Sequence, residues 1–171
     1  MRLFIAIELS EEMKRAAAQA QDGLRRQRVG GNYTPAENLH MTLAFIGELP
    51  SAERATAALR AVDFAPFSLT ADGVGCFGDL WWMGVRADPA LDALARIVRR
   101  ALADAGVPFD RKRFRPHVTL LRRASAAPRV IPEIRPADMI VDRFCLYRSE
   151  LGKNGMIYTA LDAFAANRPE A

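Results

Sequence analysis

Residues 114–121 read Phe-Arg-Pro-His-Val-Thr-Leu-Leu. Within them, His117-Val118-Thr119-Leu120 repeats an earlier tetrad, His40-Met41-Thr42-Leu43. The chain holds two histidines, and each heads one of these tetrads. Both tetrads lie in apolar, β-favouring runs and are expected as strands. Side chains alternate faces along a strand with period 2. His117 and Thr119 therefore share one face, with Val118 and Leu120 on the other. In the first copy His40, Thr42 and Ala44 share a face, and Met41, Leu43 and Phe45 line the opposite one. Each strand would bury its apolar face and hold an imidazole beside a hydroxyl on the other. Histidine titrates near neutral pH, and a threonine hydroxyl can donate to an anionic oxygen. Two such pairs facing each other would make a small acid/base site around a phosphate.

The spacing extends the pattern beyond the tetrads. Leu3 and Leu80 open apolar runs 77 residues apart, Ser10 and Asp88 are candidate helix caps 78 apart, and His40 and His117 are 77 apart. Strand, helix and histidine-bearing strand thus repeat at a nearly constant offset. The expected fold is α+β. Two pseudo-symmetric lobes each hold an antiparallel sheet with helices on the outer face, and the two histidines face each other across the cleft between them. The histidine strands are expected near 39–46 and 116–122.

The remaining elements follow from local signals. Leu3–Leu9 is expected as a buried strand. A helix capped by Ser10, with Glu11 and Glu12 in its first turn, should run to about Arg28, where Gly30-Gly31 stops it. Arg25, Arg26 and Arg28 suit the dipole at its end better than an RNA contact. After a connector with Pro35, Gly47 closes the first histidine strand, and Ser51 caps a helix ending near Val62. Residues 66–77 carry Gly73 and Gly75 and predict a strand with a bulge or bend. Gly78-Asp79 is a tight turn, and Leu80–Val85 completes a hairpin. Asp88 and Pro89 open a third helix with a buried stripe of Leu91, Leu94, Ala95, Val98 and Leu102. Ala124–Pro136 reads as loop. Met139–Tyr147 and Met156–Ala163 read as two strands joined at 152–155, and the chain after Phe164 is expected to fray.

Bulk properties exclude several classes. A chain of 171 residues that is half apolar suits one globular domain. The net charge of +4 and pI near 9.5 permit an anionic partner. Cys76 and Cys145 do not make a disulfide framework and are expected as reduced core residues in the cytoplasm. Residues 1–8 are too short for a signal peptide, and no apolar run reaches the ~18 residues of a membrane span. A zinc site draws three or four ligands at recognisable spacing, and no His-x-His, Cys-x-x-Cys or His-Glu-x-x-His occurs. There is no Gly-x-Ser-x-Gly. Gly73-x-Gly75-x-x-Gly78 lacks the following helix of a phosphate loop. Arg111, Lys112, Arg113 and Arg115 precede the second tetrad, with Arg122 and Arg123 after it. Guanidinium binds phosphate well. Arg115 and Arg123 have the parity of His117, whereas Arg122 would share it only if the strand twists or ends there. Phe77, Trp81, Trp82, Phe114 and Tyr33 could stack a nucleobase, although core packing is favoured for any one of them.

These residues resemble the two-histidine (2H) phosphoesterase superfamily, and within it the bacterial and archaeal RNA 2′,3′-cyclic phosphodiesterases, also called 2′-5′ RNA ligase-like proteins. The resemblance covers nearly the whole chain. It rests on residues 1–7, Asn38–Glu48, Phe114–Leu120 and Leu146–Leu151. The resemblance implies opening of a 2′,3′-cyclic phosphate at an RNA 3′ end to a 2′-phosphate, with no metal or other cofactor. By position it assigns His40 as proton donor and His117 as proton acceptor. Thr42 and Thr119 would bind non-bridging oxygens, and Arg122 would contact the nucleotide. Reverse 2′-5′ ligation is implied as a side activity. The sequence departs from relatives between Gly75 and Leu80, where they carry a longer loop with Pro and Arg. It departs again at Gly31-Asn32-Tyr33, in place of a basic-aromatic stretch. The expected partner is RNA with cyclic phosphate ends, tRNA fragments among them, with no membrane and a monomeric chain. Other readings are a different phosphodiester, such as 2′-5′ oligoadenylate or cyclic ADP-ribose phosphate, and an RNA-end-binding module without turnover.

Overall fold

The computed structural model describes residues 1–167. Strand β1 (Arg2–Glu8) is buried from Leu3 to Ile7, because Leu3, Ile5 and Ile7 enter the core on one face while Phe4 packs against His40, Tyr147 and Tyr158 on the other. Helix α1 (Glu11–Arg26) begins where Ser10 Oγ accepts the Met13 N–H at 3.2 Å. It buries Met13, Ala16, Ala17, Ala20 and Leu24. It ends at Gln27, ahead of the two glycines, and Arg28 takes the left-handed turn at φ 60°. Arg25 pairs with Asp22 at 3.2 Å and lies 4.2 Å over the Tyr33 ring.

The connector holds a two-residue strand, β2 (Asn32–Tyr33), and one 3-10 turn (Ala36–Asn38). It leads to β3 (His40–Glu48). Helix α2 (Glu53–Leu59) is shorter than the expected Ser51–Val62 span. Ser51 Oγ reaches only the Glu53 N–H, at 3.4 Å. β4 (Phe67–Phe77) and β5 (Leu80–Val85) form the hairpin, with a register shift between Ala71 and Val74 and φ 72° at Gly73. In α3 (Pro89–Asp104), Asp88 Oδ1 accepts the Ala90 N–H at 2.7 Å. Its buried residues are the predicted Leu91, Leu94, Ala95, Val98 and Leu102. β6 (Val118–Arg122), β7 (Asp138–Val141), β8 (Arg143–Gly152) and β9 (Gly155–Ala165) complete the chain.

Three expectations are corrected. The single strand expected over Met139–Tyr147 is two, broken at Asp142: β7 pairs with β4, whereas β8 pairs with β1. Cys76 is exposed at the end of the hairpin rather than in the core, while Cys145 is buried; both are free thiols. The chain past Phe164 does not fray through Asn167. The Ala166 N–H donates to Asp142 O at 2.7 Å and that of Asn167 to Phe64 O at 2.8 Å. Residues 168–171 lie outside the described residues.

The sheet order is β7-β4-β5-β6-β3-β1-β8-β9, with β2 added to β6. It divides into two four-strand halves, β7-β4-β5-β6 and β3-β1-β8-β9, that meet where Met41 pairs with Val118. The predicted antiparallel α+β duplication is therefore present. The helices, however, cross over. α1 packs against β4, β6 and β7, and α3 packs against β3, α2 and β4. The helix that follows the first strand of each repeat thus covers the histidine strand of the other. Among the described residues, no helix is long and apolar enough to cross a membrane.

Candidate active site

The antiparallel pair Met41↔Val118 sets the geometry. One residue to either side, it places His40 across from Thr119 and Thr42 across from His117. The histidines then occupy one diagonal of a square and the threonines the other. The walls of two cavities agree: one is lined by Thr42 and His117, the other by His40 and Thr119. All four side chains are half-buried, while Met41, Leu43, Val118 and Leu120 are fully buried. The structure thus brings the two predicted pairs together.

Both strands carry a β-bulge directly after the threonine. Thr42 faces Ala6 and Ala44 faces Ile5, so Leu43 is the extra residue. Thr119 faces Trp82 and Leu121 faces Trp81, so Leu120 is the extra residue of the second strand. A bulge shifts side-chain parity by one. This corrects the facing expected beyond Thr42. Ala44 is buried in the core, and Phe45 is 48% exposed on the cleft side. The matching bulge brings Arg122, rather than Arg123, to the site, beside His40 and Thr119. Arg123 has φ 53° at the point where the chain leaves the strand. Phe45 and Arg122, 77 residues apart, are equivalent positions in the two repeats.

The imidazoles are held alike. His40 Nδ1 lies 2.6 Å from Asn38 O, and His117 Nδ1 lies 2.6 Å from Arg115 O. A carbonyl only accepts, so each Nδ1 carries hydrogen and each Nε2 is left for the cleft. His40 Nε2 lies 2.9 Å from Thr42 Oγ1. When neutral it accepts the hydroxyl proton, and when charged it donates. Burial lowers both histidine pKa values, opposed by the backbone hydrogen bonds; the Arg122 charge lowers both further, and His117 also lowers His40. Phe4 and Tyr158 flank His40 at 5.1 and 5.3 Å between ring centres, and Phe77 meets His117 edge-on at 5.2 Å.

From Thr42 and His117 a groove of about 590 Å³ opens outward. Phe45, Phe77 and Phe114 give it aromatic walls; Arg99, Lys112, Arg113 and Arg115 supply positive charge, with Asp110 the acidic exception. Arg115 lies 5.5 Å over the Phe77 ring. Of the other aromatic candidates, Trp81 is core, and Tyr33 donates its hydroxyl to Val29 O at 2.5 Å. The cavity of about 20 Å³ on the other side of the diagonal is walled by Thr34, Asn38, Arg122 and Tyr158 around His40 and Thr119. Among the described residues, no group of three or more His, Cys, Asp or Glu side chains could hold a metal ion.

Sequence reasoning missed Tyr158, Asn38 and Phe4. Tyr158 and Phe4 reach His40 only through pairing of strands distant in sequence, and nothing local marks them. Asn38 bears a readable signal, since its carbonyl lies two residues before His40, as that of Arg115 does before His117. Its side chain, 7% exposed, donates to Met156 O at 2.9 Å and anchors that carbonyl.

Fold and site define a class: a duplicated antiparallel α+β protein carrying paired His-x-Thr strands beside a basic, aromatic cleft. The chain belongs to the 2′-5′ RNA ligase superfamily, whose family model matches residues 8–153. It is 36% identical over 179 residues to the RNA 2′,3′-cyclic phosphodiesterase of Thermus thermophilus, covering 96% of this chain and 90% of that protein. The crystal structure of E. coli LigT in apo form matches with a TM-score of 0.82 at 32% identity, covering 98% of both chains. LigT complexed with 3′-AMP matches with a TM-score of 0.80 at the same identity and coverage.

Proposed function

We propose that this protein hydrolyses RNA 2′,3′-cyclic phosphate ends to 2′-phosphates by metal-independent acid/base catalysis. One observation carries the reading: two imidazoles on one diagonal of the cleft, each with Nδ1–H fixed on a carbonyl, which leaves Nε2 to exchange a proton, that of His40 through or beside its bond to Thr42 Oγ1. His117 Nε2 takes a proton from water as the oxygen attacks phosphorus. The bond to the 3′ oxygen breaks, and that oxygen takes the proton of His40 Nε2–H. His117 ends protonated and His40 neutral, and solvent restores both. Thr42 and Thr119, on the other diagonal, donate to the non-bridging oxygens, and Arg122 adds charge from the His40 side. Burial works against a protonated His40, and an anionic phosphate in the cleft offsets that by favouring the imidazolium. The groove beside His117 fits a nucleotide, with aromatic rings for the base and cations for flanking phosphates. The existence of a 3′-AMP complex of LigT supports a nucleotide ligand.

The substrates are RNA fragments, those of tRNA among them, and the enzyme acts as a monomer in the cytoplasm, where both thiols stay free. A 5′-hydroxyl RNA in place of water gives 2′-5′ ligation as a side activity. The test is a short RNA ending in 2′,3′-cyclic phosphate, incubated with excess EDTA. Wild type should yield the 2′-phosphate, and His40→Ala or His117→Ala should lose ~10²–10⁴-fold in rate. Loss of activity in EDTA would refute metal independence. Conversion unaffected by either substitution would refute the histidine roles. RNA bound but unchanged would favour an end-binding module, and turnover of 2′-5′ oligoadenylate alone would move the substrate class.

A further inference from the structure

A matched pair of side chains ties each helix to the histidine strand of the other repeat. Gln21 on α1 donates from Nε2 to Thr34 O and to Leu120 O, each at 2.9 Å. Arg99 on α3 donates from Nη1 to Lys112 O at 2.7 Å and from Nε to Leu43 O at 3.1 Å. Gln21 and Arg99 are 78 residues apart, Thr34 and Lys112 are 78 apart, and Leu43 and Leu120 are 77 apart. The same bridge is therefore built twice. Each joins the segment leading into one histidine to the strand carrying the other. Thr34 lies six residues before His40, and Lys112 lies five before His117.

The acceptors on the histidine strands, Leu43 and Leu120, are the two bulge residues, each next to its threonine. The histidine strands pair directly only where Met41 meets Val118, and beyond β2 on β6 the backbone adds two single ties, Thr34 N–H to Leu120 O at 3.0 Å and Asp110 N–H to Phe45 O at 2.8 Å, which the two side chains reinforce. Gln21 is 4% exposed and shares its helix face with Met13, Ala17, Ala20 and Leu24. An amide there costs stability unless hydrogen-bonded, and packing alone would favour an apolar residue. Gln21 and Asn38 are the two buried polar or charged side chains among the described residues, and Asn38 supplies the carbonyl that orients His40.

We infer that Gln21 and Arg99 are positioning residues, crossed braces that set the spacing between the two histidines. The inference rests on the proposed two-histidine chemistry for its rate readout, but not for its spectroscopic one. Gln21→Met keeps the length and removes both donors. Arg99→Lys keeps the charge and removes the fork that spans two carbonyls. In each variant kcat on cyclic-phosphate RNA should fall ~10–100-fold, as expected for a misplacement of ångström scale, with KM little changed. Because both braces act on one spacing, the double variant should lose less than the product of the single losses. In the free protein, NMR titration of the two imidazoles should show both pKa values rising toward 6.5 in Gln21→Met as the cleft loosens and admits water. Should Gln21→Met not fold, Gln21→Asn keeps the amide one methylene short and should show the same kcat loss and titration shift. A lower Tm with unchanged kcat and unchanged titration would overturn the proposal and leave a purely structural glutamine. A loss confined to KM in Arg99→Lys would overturn the brace role of that residue and make it a direct RNA contact. If wild type leaves cyclic-phosphate RNA untouched, the proposed function fails, while the titration of Gln21→Met still decides the braces.

Discussion

Gly75→Ala tests the packing behind His117. Gly75 pairs with Trp82 across the hairpin, and a Cβ there would lie 2.4 Å from Cζ2 and Cη2 of the indole. Carbon atoms rest at ~3.5–4.0 Å, so the ring must retreat by roughly 1 Å or more. Its freedom to do so is limited. Phe77 packs against it, 5.3 Å away between ring centres. Overpacking of this kind costs ~1–3 kcal/mol. At ~2–4 °C per kcal/mol for a domain of this size, Tm should fall by ~2–12 °C. Because Phe77 also meets His117 edge-on, turnover should drop in the same variant, with tryptophan emission altered. The assay is thermal unfolding by circular dichroism, with fluorescence and kcat measured on the same sample. Gly78→Ala serves as control. It has φ 60° and nothing within 4 Å, so it should lose ~1–2 kcal/mol to backbone strain alone and leave emission and kcat unchanged. Unchanged Tm, emission and kcat in Gly75→Ala would refute the contact chain from Gly75 through Trp82 and Phe77 to His117.

The proposed acid/base cycle needs one histidine charged and the other neutral, and burial lowers both pKa values from 6.5 in the free protein. The profile of kcat/KM against pH should therefore be a bell with its maximum on the acid side of 6.5, and a rate still rising through pH 9 would contradict the mechanism. Since the folded state disfavours histidine protonation, this contribution to stability is present above the unfolded value near 6.5 and is lost as pH falls through the folded values. Urea midpoints should fall on acidification across that window, and less so in a His40→Gln variant. Arg122→Gln removes a charge that depresses both histidines, so the bell should move to higher pH while KM rises; an unmoved bell would place Arg122 too far away to matter. Thr42→Val and Thr119→Val should each cost less than loss of a histidine, on the order of 10-fold for one hydrogen bond to an anion, measured as kcat/KM.

Much of this was legible in the sequence because local signals and tertiary structure agree. Ser10 and Asp88 cap the helices they were expected to cap, the α3 stripe is buried as its periodicity predicts, and Gly78-Asp79 turns the hairpin. What escaped depends on long-range pairing. Period-2 reasoning cannot show an extra residue in a strand, so the bulges at Leu43 and Leu120 reversed the facing of Ala44 and Phe45 and left Arg122 undecided against Arg123. The run from Met139 to Tyr147 looks continuous because both its strands are apolar, yet Asp142 is where the chain passes from one half of the sheet to the other. The crossing of helices between the repeats leaves no trace in amphipathicity, because a buried stripe does not say which sheet buries it.

The placement of β1 governs the order in which the molecule can assemble. This strand is flanked by β3 and by β8, and Phe4 pairs with Tyr147. Closing a loop of that length costs several kcal/mol of chain entropy before any contact returns it. The half of the sheet built on β1 therefore cannot be completed until the residues of β8 have been made. It must hold an open β1 edge until the β8–β9 hairpin emerges, whereas β4 and β5 can zip together at once. A nascent chain stalled before residue 143 should be protease-sensitive and aggregation-prone, with slow, high-contact-order folding beginning only on release.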